Sequence, residues 1–423
     1  MNIAGIIAEY NPFHLGHLYH LQETRKKTAA EGIICVMSGH FVQRGEPSLV
    51  NKWARAEMAL AHGADLVLEL PALYATRSAY WFARGGVETL AHTGIVTHLS
   101  FGVEALEPEV LEKAAGLLAQ ETSDFQANLK NFLDEGLSFP KARAQALSLK
   151  IPEGEGIWHQ PNIILALSYL RTIKEKKLAI KPVIIERQGA GYHDKNLIPG
   201  KYASASAIRE ELFKAPEPKE VSLKKVEEFL PQAAITILHR EFAAGRGPLS
   251  LEDFAPQLLT LLRRSELLEL QRIIDIKEGL ENRIRSAANT ATSIRDFLTK
   301  LKTKRYTYTR LQRFLIHLLL NYTMDKEAYL AEGPPYLRVL GFTSQGRKLL
   351  KIIKGNSPLP VITKGGHAQK YLTNCKNFST FWEMEIKATN LYTLLYSEPK
   401  QRLGNLDYLK GPVYIPDNRH PIS

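Results

Sequence analysis

The chain has 423 residues, 44% of them hydrophobic and 23% charged, enough for two or three domains of an ordinary soluble protein. No apolar run reaches the roughly 18 residues of a membrane span, and no basic head with a cleavage site opens the chain, so a cytoplasmic protein is expected rather than a membrane or exported one. The net charge of +11 is uneven: residues 1–220 hold 24 Lys/Arg and 25 Asp/Glu, residues 221–423 hold 31 and 19, so a polyanion partner is expected for the second half.

Strand-like apolar runs and helical patterns alternate through residues 1–210. Strands are predicted at 3–8, 33–37, 65–70, 95–101 and 182–186. Helices are predicted near 17–30, 51–62, 78–92, 109–119, 123–135, 139–148 and 161–175. This alternation predicts an α/β fold with a parallel sheet flanked by helices. Ligands of such sheets bind beyond the carboxyl ends of the strands. Lys214 through Lys219, rich in Pro and Lys, marks a predicted boundary, giving domains at 1–215 and 216–423. The second region reads as mainly helical and basic, with a Leu-rich stretch from Leu258 and a long helix near 307–322. The last 70 or so residues mix apolar runs with Gly and Pro and give no clear pattern. Cys35 and Cys375 read as packing residues without a disulfide framework.

The first chemical segment follows the first strand. Asn11-Pro12-Phe13 forces a turn, and His14-Leu15-Gly16-His17 then opens a helix. A helix start presents unpaired N–H groups and a positive dipole end, which attract phosphate. Two imidazoles there can donate to phosphoryl oxygens as charge develops. His14, His17 and His20 also match one helical face, but no Cys or carboxylate cluster accompanies them, and a metal site is not expected. The Phe41–Pro47 turn reads as pocket lining or an ordinary turn, and Lys52 with Arg55 as phosphate or carboxylate ligands or a solvated face. Arg187 through Asp194 is a Gly-bearing loop. Ala203 through Arg209 puts hydroxyls and one Arg at a helix start, fitting either a phosphate cradle or a plain cap. Asn162 fits a helix cap or a base contact. Lys302 through Arg313 interleaves cations with two Tyr, a composition suited to phosphates and unpaired bases.

Together these segments resemble the HIGH-type nucleotidyltransferase superfamily, through HxGH after the first strand and a later Ser-containing segment ending in Ile-Arg. Glu9 through His20, Gln43 through Pro47, Gly63 through Pro71, Arg187 through Asp194 and Ala203 through Arg209 more closely resemble the bacterial tRNA(Met) cytidine acetate ligases. The likeness spans most of residues 1–210 and continues more loosely through Lys304–Arg313. Leu15 stands where that family usually carries Asn, and His40 follows Ser38-Gly39 where Asn is expected.

The resemblance implies a Rossmann-like fold and a two-step reaction. Acetate attacks the α-phosphate of ATP, and the acetyl group passes to the wobble cytidine of elongator tRNA(Met). It implies His14 and His17 as catalytic residues. It implies an ATP site from Ile7, Ala8, Glu9, Tyr10, Asn11, Pro12, Phe13, His14, Leu15, Gly16, His17, Leu18, Tyr19 and His20, completed by Gly102, Asn162, Arg187 and Gln188. Ser204, Ser206 and Arg209 are expected phosphate contacts. Lys302, Lys304, Arg305, Arg310 and Arg313 are expected tRNA contacts. Magnesium is expected on the nucleotide, with no membrane or protein partner. Two other readings stay open on sequence: an adenylyltransferase acting on a small phosphorylated metabolite, and a non-catalytic RNA-binding protein.

Overall fold

The structure is a computed structural model that describes residues 1–104, 107–188, 197–214, 219–276, 279–304, 306–373 and 375–416. Among the described residues ten strands are formed: β1 (Ile3–Ala8), β2 (Gly32–Ser38), β3 (Phe41–Val42), β4 (Glu46–Pro47), β5 (Leu66–Leu70), β6 (His98–Val103), β7 (Lys181–Glu186), β8 (Leu337–Thr343), β9 (Val361–Ile362) and β10 (Val413–Ile415). Eight of them make one sheet in the order β10-β8-β5-β2-β1-β6-β7, with β9 against β8, while β3 and β4 form a separate hairpin. β5, β2, β1, β6 and β7 run parallel, joined by helices. The order reverses at β1, where the next strand in sequence pairs on one side and β6 on the other. A crevice opens at such a switch point, beyond the carboxyl ends.

Alternation along the strands builds a core on each face. Ile34 and Val36 of β2 pack into one cluster with Leu66, Leu68 and Leu99. Ile33, Cys35 and Met37 pack into the other with Ala4, Ile6 and Val67. The helices that matter below are α1 (Leu15–Thr28), α2 (Lys52–Ala61), α3 (Pro161–Glu175), α4 (Ala205–Leu212), α5 (Tyr308–Leu320), α6 (Ser344–Asn356) and α7 (Lys376–Thr393).

The boundary expected at residue 215 does not divide the sheet. β8 lies antiparallel to β5, and β10 and β9 pair with β8, so the second half of the chain returns to extend the first. A buried ion network fastens that return. Lys52 Nζ lies 2.7 Å from Glu69 Oε1 and 2.7 Å from Asp407 Oδ1. Arg338 of β8 lies 2.9 Å from Asp407 and 3.4 Å from Glu69. Glu385 of α7 accepts the Ala72 N–H. Lys52 therefore holds structural carboxylates and not a phosphate. Arg55, fully buried, donates to the carbonyls of Glu9, Ser38, Gly39 and Val50. It staples the ends of β1 and β2 and is likewise not a ligand contact.

Candidate active site

β1 ends at Ala8, and the chain turns through Tyr10, in the left-handed region at φ 47°, and a cis Asn11–Pro12 bond. This loop is held from three sides. Asn11 Oδ1 accepts the Leu49 N–H at 2.6 Å, Arg209 donates to the Asn11 carbonyl at 2.7 Å, and the half-buried Glu9 carboxylate accepts the Gln43 N–H at 2.7 Å. Burial raises the Glu9 pKa from its ordinary value. His14 then caps α1. Its Nδ1 accepts the Gly16 N–H at 3.0 Å, and its own N–H donates to His17 Nδ1 at 3.3 Å. Both Nδ1 atoms are thus acceptors, which fixes the neutral tautomer with the proton on Nε2 of each ring. The rings stack with centroids 3.7 Å apart. Two Nε2–H donors therefore stand side by side at a helix start.

Burial, then Arg187 and Arg209, lowers the His14 pKa to about 3. Burial and neighbouring cations push His17 well below the ordinary imidazole range, and burial with Arg187 brings His20 to about 4. In the unfolded chain these groups take up a proton near pH 6.5. Between that pH and the folded values the unfolded state binds more protons, so stability rises with pH across the window and is lost as pH falls through it. Thermal melts are expected to show a falling Tm from pH 6.5 towards pH 4. The fall should be shallower in His14→Asn, which keeps an acceptor for Gly16 but has no titrating ring. Parallel curves for the two proteins would remove His14 from this account.

β6 and β7 bring the remaining residues to the same edge. Gly102 pairs with Ile185 and Val103 with Glu186 in the register. The Arg187 N–H donates to the Val103 carbonyl at 2.9 Å. The Arg187 side chain crosses Gly102, where an added Cβ would meet its Cγ at 3.1 Å, so a bare backbone position is needed there. Asn162, in the first turn of α3, donates to Glu104 at 2.6 Å, and Glu104 acts electrostatically on Arg187. Glu104 is a member of this constellation that sequence reading missed, since a lone Glu after a strand carries no motif.

His20 also has an anchoring role in the fold. Its Nε2 meets Ser100 Oγ at 3.0 Å, and Ser100 meets Thr24 at 2.6 Å, which anchors α1 on β6. Ser204 Oγ accepts the Ala207 N–H at 3.1 Å as the cap of α4, with Ser206 in the first turn. Arg209 reaches both the Asn11 carbonyl and, at 2.6 Å, Glu46 on the hairpin. Gln188 lies exposed at the end of β7. Gly189 through Asp194, and Arg305, lie outside the described residues.

The hairpin of β3 and β4 bridges this edge to α5. Gly45 at its tip has φ 76°, and an added Cβ would collide with the backbone of Gln312 and Arg313. Gln43 also donates to the Arg77 carbonyl at 3.1 Å. α5 itself corrects part of the expected polyanion surface. Arg313 is largely buried, with Nε 4.0 Å from Asp275, and Arg310 donates to the Asp275 carbonyl at 3.0 Å while covering the Tyr306 ring. Arg77 Nη1 lies 3.6 Å from the same carboxylate. These two guanidiniums of α5 neutralise an acid inside the protein, whereas Lys302 and Lys304 remain exposed.

Among the described residues no group of three His, Cys, Asp or Glu is placed to hold a metal ion, and no helix is long and apolar enough to cross a membrane. The crevice offers paired imidazole donors, a helix start and two guanidiniums, the exposed Arg187 and the partly buried Arg209, at one sheet edge. That combination suits a nucleoside triphosphate whose α-phosphate is attacked in line.

Comparison with known proteins agrees. The chain matches the HIGH Nucleotidyl Transferase family over residues 1–407. A tRNA(Met) cytidine acetate ligase of Thermoanaerobacter sp. (strain X514) is 42% identical over 412 residues, covering 97% of this chain and 98% of that protein. One from Syntrophomonas wolfei is 39% identical over 422 residues, covering 98% and 99%. The crystal structure of Thermotoga maritima TmcAL bound with alpha-thio ATP superposes with a TM-score of 0.91 at 34% identity, over 98% of this chain and 100% of that one.

Proposed function

Because the chain belongs to the HIGH nucleotidyl transferase family, and within it to the tRNA(Met) cytidine acetate ligases, we propose that it acetylates the wobble cytidine of elongator tRNA(Met) at the expense of ATP. The observation that carries this reading is the stacked His14–His17 pair at the switch point of the sheet. In the first step an acetate oxygen attacks the α-phosphorus of ATP. The bond to the bridging oxygen breaks, and pyrophosphate leaves. The Nε2–H groups of His14 and His17 meet the charge that grows on the phosphoryl oxygens. Both rings are neutral donors, so neither has to lose a proton at the start. Arg187 and Arg209 supply fixed positive charge beside them. Gly102 lets the Arg187 side chain lie across the strand end at the edge of the nucleotide site, and Asn162 holds the Glu104–Arg187 side of it. In the second step the exocyclic amine of the cytidine attacks the acetyl carbonyl, AMP leaves, and the amine gives up one proton.

Magnesium enters as part of the nucleotide substrate. The described donor set does not fit a resident ion, since the nearest imidazoles already accept backbone N–H groups. Lys302 and Lys304 remain candidate phosphate contacts for the tRNA, and the reaction is placed in the cytoplasm with its substrate.

Exchange of labelled pyrophosphate into ATP is expected only when acetate is present, and nucleoside mass spectrometry should find acetyl label from acetate on cytidine of tRNA(Met). Exchange without acetate dependence, or dependence on a phosphorylated metabolite instead, would overturn the proposal.

A further inference from the structure

From Gly333 to Trp382 the sequence has no Asp or Glu, yet it holds eight Lys and Arg. One of these, Arg338, is buried against Asp407 and Glu69. Most of the others lie on α6 and just beyond it. α6 buries Gly346, Leu349, Leu350 and Ile353. Its exposed side carries Arg347, Lys348, Lys351 and Lys354, and none of these pairs with a carboxylate among the described residues. Lys364 and Lys370 follow, also exposed.

A merely solvated face would mix signs. Elsewhere on this chain helical cations do find acids: Lys300 lies 2.7 Å from Asp296, and Arg240 lies 2.7 Å from Glu57. On α6 the spacing of Arg347, Lys351 and Lys354 sets like charges on neighbouring turns, which costs about 0.2–0.5 kcal/mol per pair. Arg347 and Lys348 also stand near the helix start, where the dipole disfavours cations. Lys354 alone, in the last turn, sits where the dipole favours a cation, and an external polyanion would relieve the repulsion among the rest.

The placement of α6 decides which anion. Gln345 donates to the Glu31 carbonyl at 3.1 Å, Leu349 packs on Gly32 at the start of β2, and Asn356 meets Gly94 in the turn before β6. These are the amino ends of the strands. His14 and His17 stand beyond the carboxyl end of β1. A strand of this length spans roughly 20 Å, so a mononucleotide cannot touch both ends, whereas a folded polynucleotide can. We propose that the exposed face of α6, with Lys364 and Lys370, docks the phosphate backbone of the tRNA at a point remote from the reacting cytidine. The inference rests on the tRNA-acetylating function proposed above and adds where the RNA is held.

The test compares the wild type with Arg347→Ala/Lys351→Ala/Lys354→Ala, using tRNA(Met) and its isolated anticodon stem-loop. The triple variant is expected to bind tRNA(Met) about tenfold or more weakly at physiological salt, with the slope of log K against log salt reduced by about two. The stem-loop should bind both proteins alike. RNA-free, acetate-dependent pyrophosphate exchange should be unchanged, which reports an intact fold. Lys351→Arg/Lys354→Arg should bind as wild type. Unchanged tRNA affinity and slope in the triple variant would overturn the proposal, as would lost binding in the arginine variant. Lost binding to phosphatidylserine vesicles with tRNA binding intact would reassign the face to a membrane and also overturn it. Failure of the wild type itself to acetylate tRNA would defeat the functional reading instead.

Discussion

His17→Asn is expected to form acetyl-adenylate about a hundred- to a thousandfold more slowly than the wild type, the usual cost of losing one preorganised donor to a developing phosphoryl charge. Asn keeps an acceptor oxygen near the Nδ1 position, so the His14 N–H retains its partner and α1 keeps its cap. What it lacks is the Nε2–H. His17→Gln places a donor near the Nε2 position, loses the cap, and should retain more of the rate. Acetate-dependent pyrophosphate exchange reads the chemistry. A tRNA-binding titration should give the same affinity for all three proteins, since neither substitution touches the basic surfaces. A normal exchange rate in His17→Asn would show that the second imidazole only shapes the helix start.

Lys52→Ala is expected to destabilise the fold by about 3–5 kcal/mol, the cost of leaving buried carboxylates without their cation. Lys52 is fully buried and is the shared partner of Glu69 on β5 and Asp407 near the end of the described chain. With it gone, Arg338 alone faces both acids. The loss should appear as a lower denaturation midpoint, and hydrogen exchange should quicken first around Leu406–Leu409, where Asp407 sits. Lys52→Met combined with Asp407→Leu removes a cation and an anion together and should recover much of the stability. If Lys52→Ala melts like the wild type, the network does not secure the returning strands.

The parallel half of the sheet was legible because its signals are local. β1 and β2 are nearly continuous apolar runs, β5, β6 and β7 keep short apolar stretches (Leu66–Leu68, Phe101–Val103, Val183–Ile185), and the helices between them carry their own periodicity and caps. The imidazole pair was legible for the same reason, since strand, turn and helix start are neighbours in sequence. β8 was not. Leu337–Thr343 is interrupted by Arg338 and Gly341, and Arg338 is tolerated inside only because Glu69 and Asp407 surround it. Those partners are remote in sequence, so nothing near Arg338 announces a strand. Arg310 and Arg313 mislead in the opposite direction. They continue a run of cations that reads as a polyanion surface, yet Asp275, more than 30 residues upstream, turns them inward. Arg209 sits where a phosphate ligand was expected, but it also fastens Asn11 and Glu46. A charged side chain shows its type in the sequence, while its partner is chosen by tertiary contacts.

The tongue formed by Phe41–Pro47 touches Glu9 through Gln43, Arg209 through Glu46 and the Tyr308–Leu320 helix, at Gln312 and Arg313, through Gly45. Its tip has no slack, because the glycine already meets main chain. The three parts therefore behave as interlocked gears. A shift of the helix on the far side of the tongue is transmitted to the loop that aims the two imidazoles, and a shift of that loop is transmitted back.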